Sequence, residues 1–247
     1  MLAISPGDRG EYFRAPSKVA VVLLAFGAIG NLASGQGISF RDPVALPMPA
    51  GSAPEALALG NFKGDKAWDL AVVNAGSGTV SILLGNADGS FQEPSNYDVG
   101  TTPWYVTAAD VTGDGVLDLV VSNMDSSDLT VLLGVGDGTF VFSQTISVPD
   151  MPFSTVVADF NSDGAADIIV ANTFLAFIIY GYGDGTFGDP ILLEDFGTHA
   201  RAAALGDFNG DGIPDVAVTK GHGVDQVSIM LGHGDGTFES AGDFPIG

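Results

Sequence analysis

Four stretches of the chain repeat one pattern at a nearly constant interval. They are LGNFKGDKAWDLAVVN from Leu59, AADVTGDGVLDLVVSN from Ala108, VADFNSDGAADIIVAN from Val157 and LGDFNGDGIPDVAVTK from Leu205. Their first loop residues, Asn61, Asp110, Asp159 and Asp207, are 49, 49 and 48 positions apart. Each stretch is followed by an apolar run and then a second signature, ending at Phe91, Phe140, Phe187 and Phe238; in the last three it closes on GDGTF. A period near 50 residues matches the length of one four-stranded propeller blade. A β-sandwich does not need near-identical turns at a fixed interval.

Within a period the elements are short and β-like. In the third copy TVVADF reads as a strand of small residues, NSDGAAD as a turn and DIIVAN as a buried β-branched strand. AFIIYG is a third strand, GYGDG a Gly-rich turn and TFGDPILLE a more polar fourth strand. Helical periodicity nowhere survives for more than a few residues. The expected fold is therefore all-β, a β-propeller of four-stranded antiparallel blades at about 52–100, 101–150, 151–199 and 200–247. Residues 36–51 read as a lone fourth-type strand, with Phe40 matching Phe91.

The loops carry the chemistry. Positions 1, 3, 5 and 9 are Asp110, Thr112, Asp114 and Asp118 in the second copy. They are Asp159, Asn161, Asp163 and Asp167 in the third, and Asp207, Asn209, Asp211 and Asp215 in the fourth. Position 6 is Gly115, Gly164 and Gly212, which permits a sharp reversal. Alternate oxygen side chains on a turning chain gather hard ligands at one point, as Ca²⁺ requires; Mg²⁺, which keeps several waters, fits less well. The carbonyls of Val116, Ala165 and Ile213 at position 7 are further candidate ligands. The loops are not EF-hands, because position 12 is Val121, Val170 and Val218 rather than Glu. Single Asp-Asn-Gly loops are good turn formers; three in register, each with Asp at position 9, point to cation binding.

DFNSDGAAD and DFNGDGIPD, each followed by an apolar strand and a GDGTF turn, resemble the FG-GAP/VCBS repeats of integrin α-subunit-like propellers. The resemblance spans about residues 37–247. It implies a propeller of about seven blades, Ca²⁺ in the hairpin between the first two strands of a blade, and an extracellular or surface setting. The associated roles are adhesion, ligand binding or service as a module attached to an enzyme. The first copy departs from the pattern. Its loop has Asn61, Lys63, Asp65 and Asp69, with Lys66 in place of Gly. Lys63 or Lys66 is expected to replace the ion there, neutralising Asp65 and Asp69.

The chain has 8 basic and 30 acidic residues and a net charge of −22, which argues against a nucleic-acid partner. More than half of the acidic residues after residue 35 sit in these loops or in the Asp-Gly turns at Asp88, Asp137, Asp184 and Asp235. Halophilic solvation would scatter them more evenly. The Asp-Gly turns themselves suit tight connections between strands. No cysteine is present, so disulfides, thiolate metal sites and a cysteine nucleophile are excluded. His199, His222 and His233 have no HExxH spacing, and no GxSxG elbow or phosphate loop appears.

The first 35 residues read as a signal peptide. Arg14 and Lys18 precede the apolar run Val19–Gly30, and Ala33 and Gly35 suit a cleavage site before Gln36. Twelve apolar residues fall short of the ~20 that a spanning helix needs, and no later stretch is apolar enough to span. The expected location is therefore secreted or cell-surface.

Six positions before each loop the copies read Glu55, Trp104, Phe153 and Arg201. In a propeller this entry to the inner strand lies near the central channel, where Trp104, Tyr105, Phe153 and Arg201 suit a carbohydrate or protein ligand. The expected function is an exported, Ca²⁺-binding propeller acting as a binding or adhesion module. The alternative is the propeller part of a secreted enzyme acting on polysaccharide or phosphoester.

Overall fold

The computed structural model describes residues 46, 48–196, 200–220 and 226–246. Residues 1–47 and 48–247 form separate units, and the second contains all the elements below. The segment expected as a signal peptide, residues 1–35, and most of the expected lone strand at 36–51 lie outside the described residues.

Among the described residues, sixteen strands form four separate antiparallel sheets of four, each in simple sequence order. The first contains β1 Pro54–Gly60, β2 Asp69–Asn74, β3 Thr79–Leu83 and β4 Ser95–Asp98. The second contains β5 Pro103–Ala109, β6 Asp118–Asn123, β7 Asp128–Gly134 and β8 Phe140–Ser147. The third contains β9 Pro152–Ala158, β10 Asp167–Asn172, β11 Ala176–Ile179 and β12 Ile191–Leu193, followed by a 3-10 turn at Glu194–Phe196. The fourth contains β13 Ala200–Gly206, β14 Asp215–Lys220, β15 Gln226–Gly232 and β16 Phe238–Pro245. These sheets are the blades of the all-β propeller fold. Among the described residues no helix is long and apolar enough to cross a membrane.

The second strand of a blade reads DLAVVN, DLVVSN or DIIVAN because it is covered on both faces. Every residue of β2, β6 and β10 is buried. Such strands lose the apolar–polar alternation of half-exposed strands. One apolar core fills each gap between successive blades. Phe62, Ala71 and Ile82 meet Val106, Leu119 and Phe140 between the first two. Val120, Leu129 and Val131 meet Ile168, Val170 and Ile179 in the next. Phe160, Ile169 and Ile178 meet Val216, Val218 and Met230 in the third. Each fully buried Leu, Ile or Phe contributes about 1.5–3 kcal/mol, so blade-to-blade packing holds the array together. The fourth strands are short or polar and mostly exposed, as β4 with its SNYD sequence shows.

Each inner strand begins with a register irregularity. In β1 it lies between Pro54 and Ala56, in β5 between Pro103 and Tyr105, in β9 at Pro152–Ser154 and in β13 between Ala200 and Ala203. Proline at three of these entries cannot donate to the ladder, which favours pairing faults at the strand start. The extra residues are Glu55, Trp104, Phe153 and, in the fourth blade, Arg201 with Ala202.

Candidate functional site

The acidic loops join the first and second strands of each blade. In the second blade Asp110 accepts hydrogen bonds from the backbone N–H of Gly113 at 2.7 Å and Gly115 at 2.8 Å. Asp114 accepts from Val116 N–H at 2.8 Å. Asp159 and Asp163 repeat this, toward Gly164 at 2.9 Å and Ala165 at 2.8 Å. Asp207 and Asp211 do so toward Gly212 at 3.0 Å and Ile213 at 2.8 Å. Thr112 donates weakly to Asp110, while Asn161 and Asn209 donate to Asp163 and Asp211. Gly115 and Gly164, with φ of 86° and 90°, take the left-handed conformation that lets the loop reverse.

The ninth-position aspartates have a different surrounding. Asp118, Asp167 and Asp215 are buried. Asp118 accepts from Val111 N–H and Gly134 N–H, both at 2.8 Å. Asp167 accepts from Phe160 and Gly181, both at 3.0 Å. Asp215 accepts from Phe208 at 2.7 Å and Gly232 at 2.9 Å. Asp69 does the same in the first blade, with Phe62 and Gly85 at 2.8 Å. Each therefore pins its own loop to the end of the third strand. Sequence reasoning saw a closing metal ligand here and missed the staple. The available signal was Asp69, which is kept in the copy where Lys63 replaces the position-3 ligand and Lys66 the glycine.

Burial raises the Asp118 and Asp167 carboxyls above the ordinary value, partly offset by these N–H bonds; nearby Asp114 and Asp110, or Asp163 and Asp159, push them further the same way. The loop carboxylates are thus close enough to repel. Among the described residues no three acidic or histidine side chains converge as a ready metal cluster. The donor set is nonetheless all hard oxygen, carries concentrated negative charge and retains lone pairs beyond the N–H bonds, so its chemistry fits Ca²⁺. In the first blade Lys63 Nζ lies 3.1 Å from Asp65 and 3.8 Å from Asp69 and donates to the Gly85 carbonyl. Of the two candidate lysines, Lys63 fills the role of a tethered cation.

The Asp-Gly turns are structural. Asp137, Asp184 and Asp235 each accept from the backbone N–H and hydroxyl of the Thr two residues on. Those Thr bonds hold their carboxyls below the ordinary value, with the hydroxyl bond the larger cause.

At the other end of the inner strands the irregularities bring the variable residues into one row. The Trp104 and Phe153 rings meet edge to face at 6.2 Å. The Arg201 guanidinium stands over the Phe153 ring, 5.7 Å from its centroid. Trp104 is half-buried, Arg201 exposed and Phe153 buried. Three blades thus contribute to one aromatic–cationic row. Tyr105 is half-buried and joins no ring pair among the described residues. A bulge re-aims the side chain at its extra position, here Trp104. Thr102 and Asp150, just upstream of Trp104 and Phe153, have φ of 55° and 65°. Such backbone is uncommon outside glycine and gathers at functional sites. Proline immediately before Trp104 and Phe153 was the available hint at most. Along β5 Trp104 lies six residues before Asp110, roughly 20 Å at the usual rise.

The FG-GAP-like repeat family matches the sequence at residues 61–121, 110–170 and 207–247. No curated protein matches it. Among solved structures, a Lactobacillus plantarum protein is similar with a TM-score of 0.64 and 16% identity, over 86% of this chain and 63% of that one. A functionally unknown protein from Desulfotomaculum acetoxidans has a TM-score of 0.57 and 15% identity, over 81% and 63%. An Agrocybe aegerita lectin that recognises non-reducing terminal N-acetylglucosamine has a TM-score of 0.52 and 23% identity, over 73% and 49%. The chain spans about half to 63% of the length of these structures. With more than half of its residues matched by the family's repeat, in three overlapping or successive copies, the chain belongs to the FG-GAP-like repeat family.

Proposed function

We propose that this chain is an exported propeller that acts by binding, with a carbohydrate ligand seated on the row of Trp104, Phe153 and Arg201. The observation that carries this reading is that row: three equivalent positions of three successive blades, aligned by bulges at a strained strand entry. A half-exposed indole offers an apolar face to a sugar ring, and an exposed guanidinium offers hydrogen-bond donors to hydroxyl or carboxylate oxygens. Phe153 contacts both, through its edge-to-face pairing with Trp104 and the guanidinium over its ring.

Ca²⁺ is the cofactor in this reading, held in the loops of the second, third and fourth blades. Its contribution is to the fold, since the loops lie at the far end of the inner strands from the row. Extracellular modules work at about 10⁻⁴–10⁻³ M affinity, so export and weak calcium sites are consistent with one another. A glycan array probed with the calcium-loaded protein tests the reading. Trp104→Ala and Arg201→Ala should each lower the bound signal at least tenfold while circular dichroism stays unchanged. A wild-type protein that binds no glycan, or binding indifferent to both substitutions, would overturn it.

A further inference from the structure

One layer of side chains crosses each blade near the end of its second strand, and the copies fill it differently. In the first blade Ser81 and Asn96 face each other across the third and fourth strands. Asn74, the last residue of β2, donates to the Ser81 hydroxyl at 2.8 Å, and that hydroxyl donates on to Asn96. In the third blade the pair is Phe177 and Leu192, so the layer is apolar. In the fourth it is Ser228 and Asp243. Ser228 donates to Asp243, and Lys220, the last residue of β14, sets its ammonium 2.8 Å from the same carboxylate. The fourth blade thus carries its own cation in this layer.

The second blade leaves the layer unfinished. Its pair is Thr130 and Thr145. Asn123 donates to the Thr130 hydroxyl at 2.9 Å and to Asp128 at 2.6 Å. Thr130 passes no hydrogen bond on to an acceptor among the described residues, although it is only 3% exposed. A buried donor without an acceptor is costly. A cavity of about 150 Å³ opens against this gap. Asp98 lines it from the end of the first blade, and Asp128, Thr130, Phe142 and Thr145 line it from the second. Neither carboxylate pairs with a lysine or arginine among the described residues. The wall is rigid where the blades meet. A Cβ on Gly100 would fall 2.6 Å from Asn123 Cγ, so the joint fixes the amide that holds Asp128 and Thr130.

The cavity asks for two things at once. Two unpaired carboxylates call for a cation, as Lys220 supplies to Asp243 in the fourth blade. The Thr130 hydroxyl calls for an acceptor. An ammonium has three donors and no acceptor, so a bare alkylamine answers only the carboxylates. A 1,2-amino alcohol carries both groups on adjacent carbons. The exposed Phe142 ring offers an apolar face to those carbons and attracts the ammonium. We propose that this cavity binds a 1,2-amino alcohol, free or within an unacetylated amino sugar. Its ammonium sits on Asp98 and Asp128, and its hydroxyl oxygen accepts from Thr130. The site shares no residue with the row of Trp104, Phe153 and Arg201.

Calorimetric titration of the purified protein with ethanolamine and with glucosamine tests this. One ethanolamine should bind per chain, at least tenfold more tightly than ethylammonium, which has the charge without the acceptor. N-acetylglucosamine, whose amide is uncharged, should not compete with it. Asp98→Asn and Thr130→Val should each weaken ethanolamine at least tenfold with an unchanged circular dichroism spectrum. Asp98 is exposed and makes no side-chain hydrogen bond among the described residues, so its variant tests the site without disturbing the fold. Asp189→Asn, the same loss of charge on an exposed residue of the third blade, should leave binding unchanged. Competition by glucosamine would uphold the site with an amino sugar as its ligand, and binding of ethanolamine alone would uphold it for free amino alcohols. No binding of ethanolamine would overturn the proposal. Equal binding of ethylammonium, or equal weakening by Asp189→Asn, would overturn it in favour of diffuse attraction to an acidic surface.

Discussion

Lys63 Nζ lies 3.8 Å from Oδ1 of Asp69, the buried carboxylate of the first repeat loop. In the other three loops the equivalent carboxylate has no cation within 4 Å among the described salt bridges. An ammonium tethered to the chain is permanent, whereas an ion must be supplied by solution. We therefore expect three Ca²⁺ per chain by calorimetric titration, and none in the first blade. Lys63→Asn with Lys66→Gly should create a fourth site. A wild-type stoichiometry of four, or no gain in the variant, would contradict the substitution of lysine for metal.

The two kinds of loop aspartate should separate energetically. Asp118→Ala orphans the N–H groups of Val111 and Gly134, each costing about 1–3 kcal/mol. Asp114→Ala loses a bond to Val116 in an exposed loop and should cost less than about 1 kcal/mol. Urea denaturation in excess chelator measures both without a metal contribution. Calcium calorimetry should then show that Asp114→Ala still removes one ion. Equal costs in chelator would mean that Asp118 is no staple.

Without metal, stability should pass through a maximum near the ordinary carboxyl value. The folded Asp118 and Asp167 bind protons more tightly than the unfolded chain does. Above 3.8 the folded state therefore holds more protons, and stability falls as pH rises through their raised values. Asp137, Asp184 and Asp235 shift the other way, so their contribution is present above 3.8 and is lost as pH falls through their lowered values. Ca²⁺ demands ionised ligands and should reverse the upper limb. Melting scans from pH 3 to 8, with and without chelator, check this. The gap between the two curves should widen with pH; parallel curves would exclude carboxylate-linked metal binding.

The packing notch makes its own demand. Ala at Gly138 meets Leu84, whereas Ala at Gly89 meets open space, and both carry the strain of a positive φ. Gly138→Ala should be about 1–3 kcal/mol more destabilising than Gly89→Ala. Equal losses in urea would place the cost in backbone strain alone.

The blades were legible in the sequence because their causes are local. A fixed interval, β-branched runs and Gly-rich turns recur four times, and each acts within a few residues. The loop positions were legible for the same reason, since Asp110, Asp159 and Asp207 bond to glycines of their own loops. Trp104 was legible as a variable strand-entry residue, but its ring contact with Phe153, 49 positions on, is made only by the packing of two blades. The staple at Asp118 was missed because its second partner, Gly134, lies 16 residues away across the sheet.

The sequence by itself determined the repeat, the strand order and which oxygens line each loop, because these follow from backbone sterics and neighbouring side chains. Only the tertiary structure decided which surfaces those repeats close. Phe160 and Phe208 occupy the same motif, DFN, yet one is buried and the other exposed. Arg201 meets Phe153 across 48 positions of chain. Burial is set by whatever packs from outside the repeat, and that information is not carried by any one copy of it.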